Sequence, residues 1–269
     1  MSFAVKGIIA LRGRFLILQF LGGSPAPPPS AERLPFPAVT GRLHQTRIVV
    51  TGASRGVGRA LAEAFAAEGA RLVLTATREE HLIATVAACG EAAHGLALDL
   101  RDPASTRRAA EQAISVLGRV DVLVNNAGLL GPRAPLAAYP LDAWEEVMTV
   151  GVTNTLRLIQ HVLPGMADGG AIVNVTSGAA GRSGWGAYSI AKLALNGITE
   201  MLRHELAERG IRCVAINPGP ARTRMRAAAY PREDPATVPH PSSLVDAFVA
   251  VAAGADPGAY VEASEWRSS

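Results

Sequence analysis

Arg47-Ile48-Val49-Val50-Thr51-Gly52-Ala53-Ser54-Arg55-Gly56-Val57-Gly58-Arg59 decides how the rest of this 269-residue chain is read. A short β-branched run ends on glycines spaced G-x-x-x-G-x-G, and the residues that follow, to Gly69, are rich in Ala, Leu and Glu. This is a strand, a tight turn and a helix. Gly52 can take the positive φ of such a turn without steric cost. Gly56 lets backbone come close to a pyrophosphate, whose charge a helix N-terminus stabilises. Gly58 lets the helix press against the strand. A merely tight turn also uses glycines, so the spacing takes its meaning from the strand before it and the helix after it.

Outward from this turn the alternation repeats. Short apolar runs at Arg71–Leu74, Gly95–Leu98, Val120–Asn125, Ala171–Thr176 and Arg212–Ile216 are separated by helical stretches near 78–89, 103–117, 142–163 and 186–209. The runs are continuously apolar rather than two-periodic, which predicts parallel strands covered on both faces. The fold class is therefore α/β: a single Rossmann-like doubly wound parallel sheet of six or seven strands with helices on both faces. Its ligand is expected at the carboxyl ends of the strands, near the topological switch point. The second run ends Leu74-Thr75-Ala76-Thr77-Arg78, without an acid. An acid there would bind the ribose 2′-hydroxyl of NAD; instead Arg55 and Arg78 bracket the place of a 2′-phosphate, so NADP(H) is preferred over NAD(H). An ordinary solvated charge is the other reading of Arg78.

Composition excludes several classes. With 49% hydrophobic residues the chain is not mostly disordered, and no purely apolar run approaches the ~18 residues of a membrane span. Cys89 and Cys213 form no CxxC, which fits a reducing, cytoplasmic setting and no thiolate zinc site. His44, His81, His94, His161, His204 and His240 show no ligand spacing, so no metal is expected. The net charge of +3 misleads: residues 1–45 carry five basic residues against Glu32, while the remainder has 21 basic and 22 acidic ones. The folded body is thus not expected to bind nucleic acid.

Residues 1–45 read as an apolar, basic leader and a Pro-rich linker outside the fold, with residues 46–269 as the dinucleotide-binding and catalytic domain. Six of the 18 prolines lie between Pro25 and Pro37. A signal or transit peptide, a peripheral membrane anchor and a dispensable extension all fit the leader, whose apolar centre Phe15–Leu21 is short.

Four elements stand in one order: Thr51-Gly52-x-x-x-Gly56-x-Gly58; Asn125-Asn126-Ala127-Gly128 after a strand; Ser177 at a strand end with Tyr188-x-x-x-Lys192; and Pro218-Gly219-x-x-x-Thr223. Together they resemble the short-chain dehydrogenase/reductase family over about residues 46–265. The resemblance implies an oxidoreductase acting on a secondary alcohol or its ketone, and a homodimer or homotetramer. It implies that the dinucleotide is held by Gly52, Ser54, Arg55, Gly56, Val57, Gly58, Arg78, Asp99, Leu100, Asn126, Ala127, Gly128, Tyr188, Lys192, Pro218, Gly219 and Thr223. Among these Asp99 meets the adenine ring, Lys192 the nicotinamide ribose and Thr223 the carboxamide.

The chemistry of Tyr188 and Lys192 also follows from their spacing, since i and i+4 share a helix face. A free tyrosine, with a pKa of about 10, is a poor acid/base near neutrality; a fixed ammonium nearby favours the phenolate. Tyr188 would then exchange a proton with a carbinol oxygen, with Ser177 hydrogen-bonded to the same atom. Ser177 lies 11 residues before Tyr188, two fewer than the family's usual interval, and Ser183 is the alternative.

A second departure is Gly151, where the family places an asparagine that supports a water linked to the active-site lysine. Asn154 follows one turn later and is expected either to reach part of that space as a fourth catalytic residue or to be a surface polar group. These departures leave open a second function, a catalytically impaired dinucleotide-binding sensor or scaffold. Asp121 reads as a strand-leading group, Asp142 as a helix cap, and Trp185 as either a pocket wall or core. The small-molecule substrate is expected between segments 129–139 and 221–239.

Overall fold

The computed structural model describes residues 41–266. Residues 1–40, which hold the leader's apolar centre and its prolines, lie outside the described residues. Seven parallel strands form one sheet in the order β3-β2-β1-β4-β5-β6-β7. They are β1 (Arg47–Val50), β2 (Arg71–Ala76), β3 (Ala93–Ala97), β4 (Val120–Asn125), β5 (Met166–Val175), β6 (Arg212–Asn217) and β7 (Tyr260–Glu262). The helices are α1 (Gly56–Ala67), α2 (Ile83–Cys89), α3 (Pro103–Leu117), α4 (Leu141–Met148), α5 (Asn154–Val162), α6 (Gly186–Glu205), α7 (Arg224–Ala229) and α8 (Asp246–Ala252).

The unbroken apolar runs are explained by burial on both sides. In β1, Ile48 and Val50 join the core against α1 and α8, while Val49 between them joins the core against α3, α5 and α6. The chain leaves β1 toward β2 on one side and β4 on the other. A crevice therefore opens at the carboxyl ends of these strands, where the sheet order reverses.

Three expectations are corrected. The stretch 142–163 is not one helix: α4 and α5 are separated by a π-helical turn over Thr149–Thr153, with the Asn154 amide bonded to the Thr149 carbonyl. Asp142 does not cap α4, whose N-cap Pro140 makes no side-chain bond; Asp142 lies in the first turn. The fold begins before Thr46, because Leu43 is fully buried and its amide donates to the Glu68 carbonyl. Asp121 is the second residue of β4, accepting from the Arg47 amide and from Arg119.

Candidate active site

The glycine-rich turn has the geometry its spacing demands. Gly52 and Gly56 have φ of +66° and +60°. A Cβ on Gly58 would collide with the Gly52 carbonyl, so helix and strand can approach this closely only at a glycine. Helix α1 starts with no side-chain cap, which leaves its first amides available at the crevice. The Thr51 hydroxyl accepts from the Asn126 and Ala127 amides, each at 3.0 Å, and Asn126 Nδ2 donates to the Thr51 and Gly52 carbonyls. The loops after β1 and β4 are thereby locked to one another.

The crevice is a cleft of about 780 Å³. It runs from Arg55 and Asp99 past the glycine turn and Asn126-Ala127-Gly128 to Ser177, Tyr188 and Lys192. Ser54, Val57, Leu100, Pro218, Gly219 and Thr223 also line it. Length, backbone donors and the turn together fit a dinucleotide. Arg78 does not line it; its exposed side chain pairs with Glu80 at 3.3 Å, because Arg78 already faces solvent ahead of α2. Arg55 lines the cleft, is exposed, and makes no salt bridge among the described residues.

At the other end, Ser177 and Tyr188 line the cleft together, whereas Ser183 is exposed and outside it. The Ser177 hydroxyl accepts from the Ala179 amide at 3.1 Å. Burial pushes the Tyr188 phenol above its ordinary pKa, and the Ser177 hydroxyl beside it acts in the opposite direction. Lys192 Nζ lies 5.8 Å from the Tyr188 ring centroid and donates to the Val175 carbonyl at 2.6 Å. Burial lowers the Lys192 pKa to about 8. In the protein alone, desolvation outweighs the lowering of the tyrosine by its lysine that the spacing suggested.

Polar residues to which the sequence assigned no role fix this geometry. Asn125 donates to Asn174, Asn174 to Thr199, and Thr199 to the Leu195 carbonyl, a buried chain from β4 through β5 into the helix that carries Tyr188 and Lys192. Amides in otherwise apolar strands were the available signal, since a buried polar group needs a partner. Asn217 accepts from the Gly219 amide and donates to Glu262, shaping the loop after β6.

Asn154 is in neither of its expected places. It is fully buried, it does not line the cleft, and its Nδ2 donates to the Leu100 carbonyl at 2.6 Å while Arg157 donates to its Oδ1. The π-turn is the reason: with an extra residue per turn, a three-residue step no longer returns to the same face. Gly151 faces the catalytic helix instead, where a Cβ would lie 3.2 Å from the Ala191 Cβ. Trp185 does wall the cleft.

The short chain dehydrogenase family model matches residues 46–234. The uncharacterized oxidoreductase YciK of Escherichia coli strain K12 is 35% identical over 217 residues, covering 77% of this chain and 86% of that protein. A 3-oxoacyl-acyl-carrier-protein reductase of Vibrio cholerae is 35% identical over 194 residues, 71% of this chain and 79% of the relative. A short chain dehydrogenase of Shigella flexneri 2a, solved as a complex with NADP, superposes with a TM-score of 0.77 at 32% identity, covering 83% of this chain and 99% of that one. One from Escherichia coli CFT073, complexed with NADPH, gives 0.77 at 33%, covering 82% and 98%.

Proposed function

This chain belongs to the short chain dehydrogenase family, and on that premise we propose that it is an NADP(H)-dependent oxidoreductase interconverting a secondary alcohol and its ketone. The observation that carries the reading is the meeting of Ser177, Tyr188 and Lys192 at the inner end of a cleft that begins at the glycine-rich turn. NADP(H) rather than NAD(H) is supported by Arg55 at the cleft, by the absence of an acid at the end of β2, and by the NADP and NADPH bound in similar structures.

The nicotinamide, when bound, supplies or accepts the hydride. Tyr188 holds the proton at its phenolic oxygen and delivers it to the carbonyl oxygen during reduction, or takes it from the alcohol during oxidation. Burial keeps the phenol protonated in the resting protein, so it is poised to donate. Ser177 orients the substrate oxygen, and Lys192, on the same helix face one turn later, stabilises the phenolate left behind. Asn125, Asn174 and Thr199 hold that face against the sheet.

The test is Ser177→Ala and Tyr188→Phe with NADPH and a panel of ketones. Tyr188→Phe should abolish turnover and leave NADPH binding within about threefold. Ser177→Ala should lower kcat and move the pH limb assigned to Tyr188 upward, because the group that lowers its pKa is gone. Tight NADPH binding by the wild type without turnover of any ketone would favour the sensor or scaffold reading.

A further inference from the structure

The two ends of the cleft differ in chemistry. Arg222 and Arg224 flank Thr223, whose methyl a Cβ on Gly56 would meet at 3.1 Å, and both arginines line the cleft. Around Tyr188 the wall is apolar: Trp185, Ala229, Leu130 and Tyr230 form one cluster with it, and all of them line the cleft. Trp185 lies 6.0 Å from the Tyr188 ring and 5.7 Å, edge-on, from Tyr230. Three of the seven Trp and Tyr residues of an aromatic-poor chain thus meet at one place.

Two cations beside this wall are engaged. Arg226 lies over the Tyr230 ring at 3.9 Å, and its fork is bound by both oxygens of Glu233 at 2.7 and 2.6 Å. Arg133, from the loop after β4, lies 4.4 Å over Trp185 and 5.2 Å from the centroid of Tyr230, and donates to the Ala229 carbonyl at 2.6 Å. It does not line the cleft. A guanidinium over two aromatic rings and hydrogen-bonded to the last carbonyl of α7 ties the loop after β4 to that helix.

Building on the proposed oxidoreductase reading, we infer that this end of the cleft takes an uncharged ketone or secondary alcohol with an apolar body, and that Arg133 is a positioning residue that clasps the Trp185–Tyr230 wall in place. Apolar walls reward each buried methylene, whereas a carboxylate among them would lose its water and find Arg226 and Arg133, the cations beside this wall, already engaged.

The experiment measures kcat/KM with NADPH for 2-butanone through 2-octanone and for keto acids of matched length. The expected result is a rise of about fourfold per added methylene over the first few carbons, and at least tenfold preference for the neutral ketone. Trp185→Ala should flatten the series. Arg133→Ala should weaken the length dependence, and Arg133→Lys should behave alike because an ammonium neither stacks nor forks. A flat series, or preference for the keto acids, overturns the inference. If nothing turns over, quenching of Trp185 fluorescence in the NADP⁺ complex, with Trp185→Phe as the control, reads binding directly. Neutral ketones quenching tenfold more tightly would support the apolar pocket while the catalytic reading fails; no such preference would sink the pocket.

Discussion

Asn154 Nδ2 reaches the Leu100 carbonyl across 2.6 Å of buried space, so α5 holds the segment after β3 that forms one wall of the dinucleotide cleft. The same segment is held by Ser105, which accepts from the Asp99 amide, and by Arg101, which bridges Asp99 and Glu146. Asn154→Ala removes a donor and leaves a buried carbonyl unpaired, at a cost of about 1–3 kcal/mol. Its expected signature is a severalfold rise in the KM for NADPH with kcat nearly constant. Titration with 2′,5′-ADP, which carries only the adenine side, checks this; an unchanged affinity with a fallen kcat would contradict it.

Gly151 is confined by α6. Replacing it with Ala gains about 1 kcal/mol of helix propensity, and with Asn a few tenths, but either places a Cβ 3.2 Å from that of Ala191. Overpacking costs typically 1–3 kcal/mol, so Gly151→Asn, with the larger side chain and the smaller propensity gain, should melt below both wild type and Gly151→Ala. Gly151→Asn should nonetheless turn over at least threefold faster than Gly151→Ala if an amide beside the catalytic helix assists Lys192. Equal rates would show that this protein works without that group.

Arg55 and Arg78 separate under mutation. Arg55 lines the cleft and Arg78 does not. Arg55→Ala should weaken NADPH more than tenfold and NADH little, a charge-assisted hydrogen bond being worth about 1.5–3 kcal/mol. Arg78→Ala should change either affinity less than threefold. Equal losses of NADPH and NADH in Arg55→Ala would refute the assignment of a 2′-phosphate there.

Lys192 makes stability depend on pH. Its folded pKa of about 8 lies below the ordinary 10.5. Between these values the unfolded chain binds more protons, so the stability contributed by this group rises with pH; below pH 8 its full desolvation cost is present. Lys192→Met abolishes the titration. The stability of wild type relative to Lys192→Met should therefore shift in favour of wild type by about 3 kcal/mol between pH 7 and 10.5. Urea unfolding of the protein without cofactor at several pH values measures this, and a constant difference would show that Lys192 stays solvated.

The sequence by itself determined whatever depends on near neighbours. Glycine spacing after Ile48-Val49-Val50 specified the turn, unbroken apolar runs specified parallel strands, and the i, i+4 spacing put Tyr188 and Lys192 on one face. These follow from the period of the backbone and the φ range of glycine. Tertiary structure decided the rest. The π-turn turned Asn154 from the catalytic helix to Leu100, and burial rather than charge came to dominate at Tyr188. Arg133, Trp185 and Tyr230, far apart in the chain, met beside Tyr188. Such contacts depend on which faces the packed sheet leaves open and how much water it excludes, and no local period encodes either.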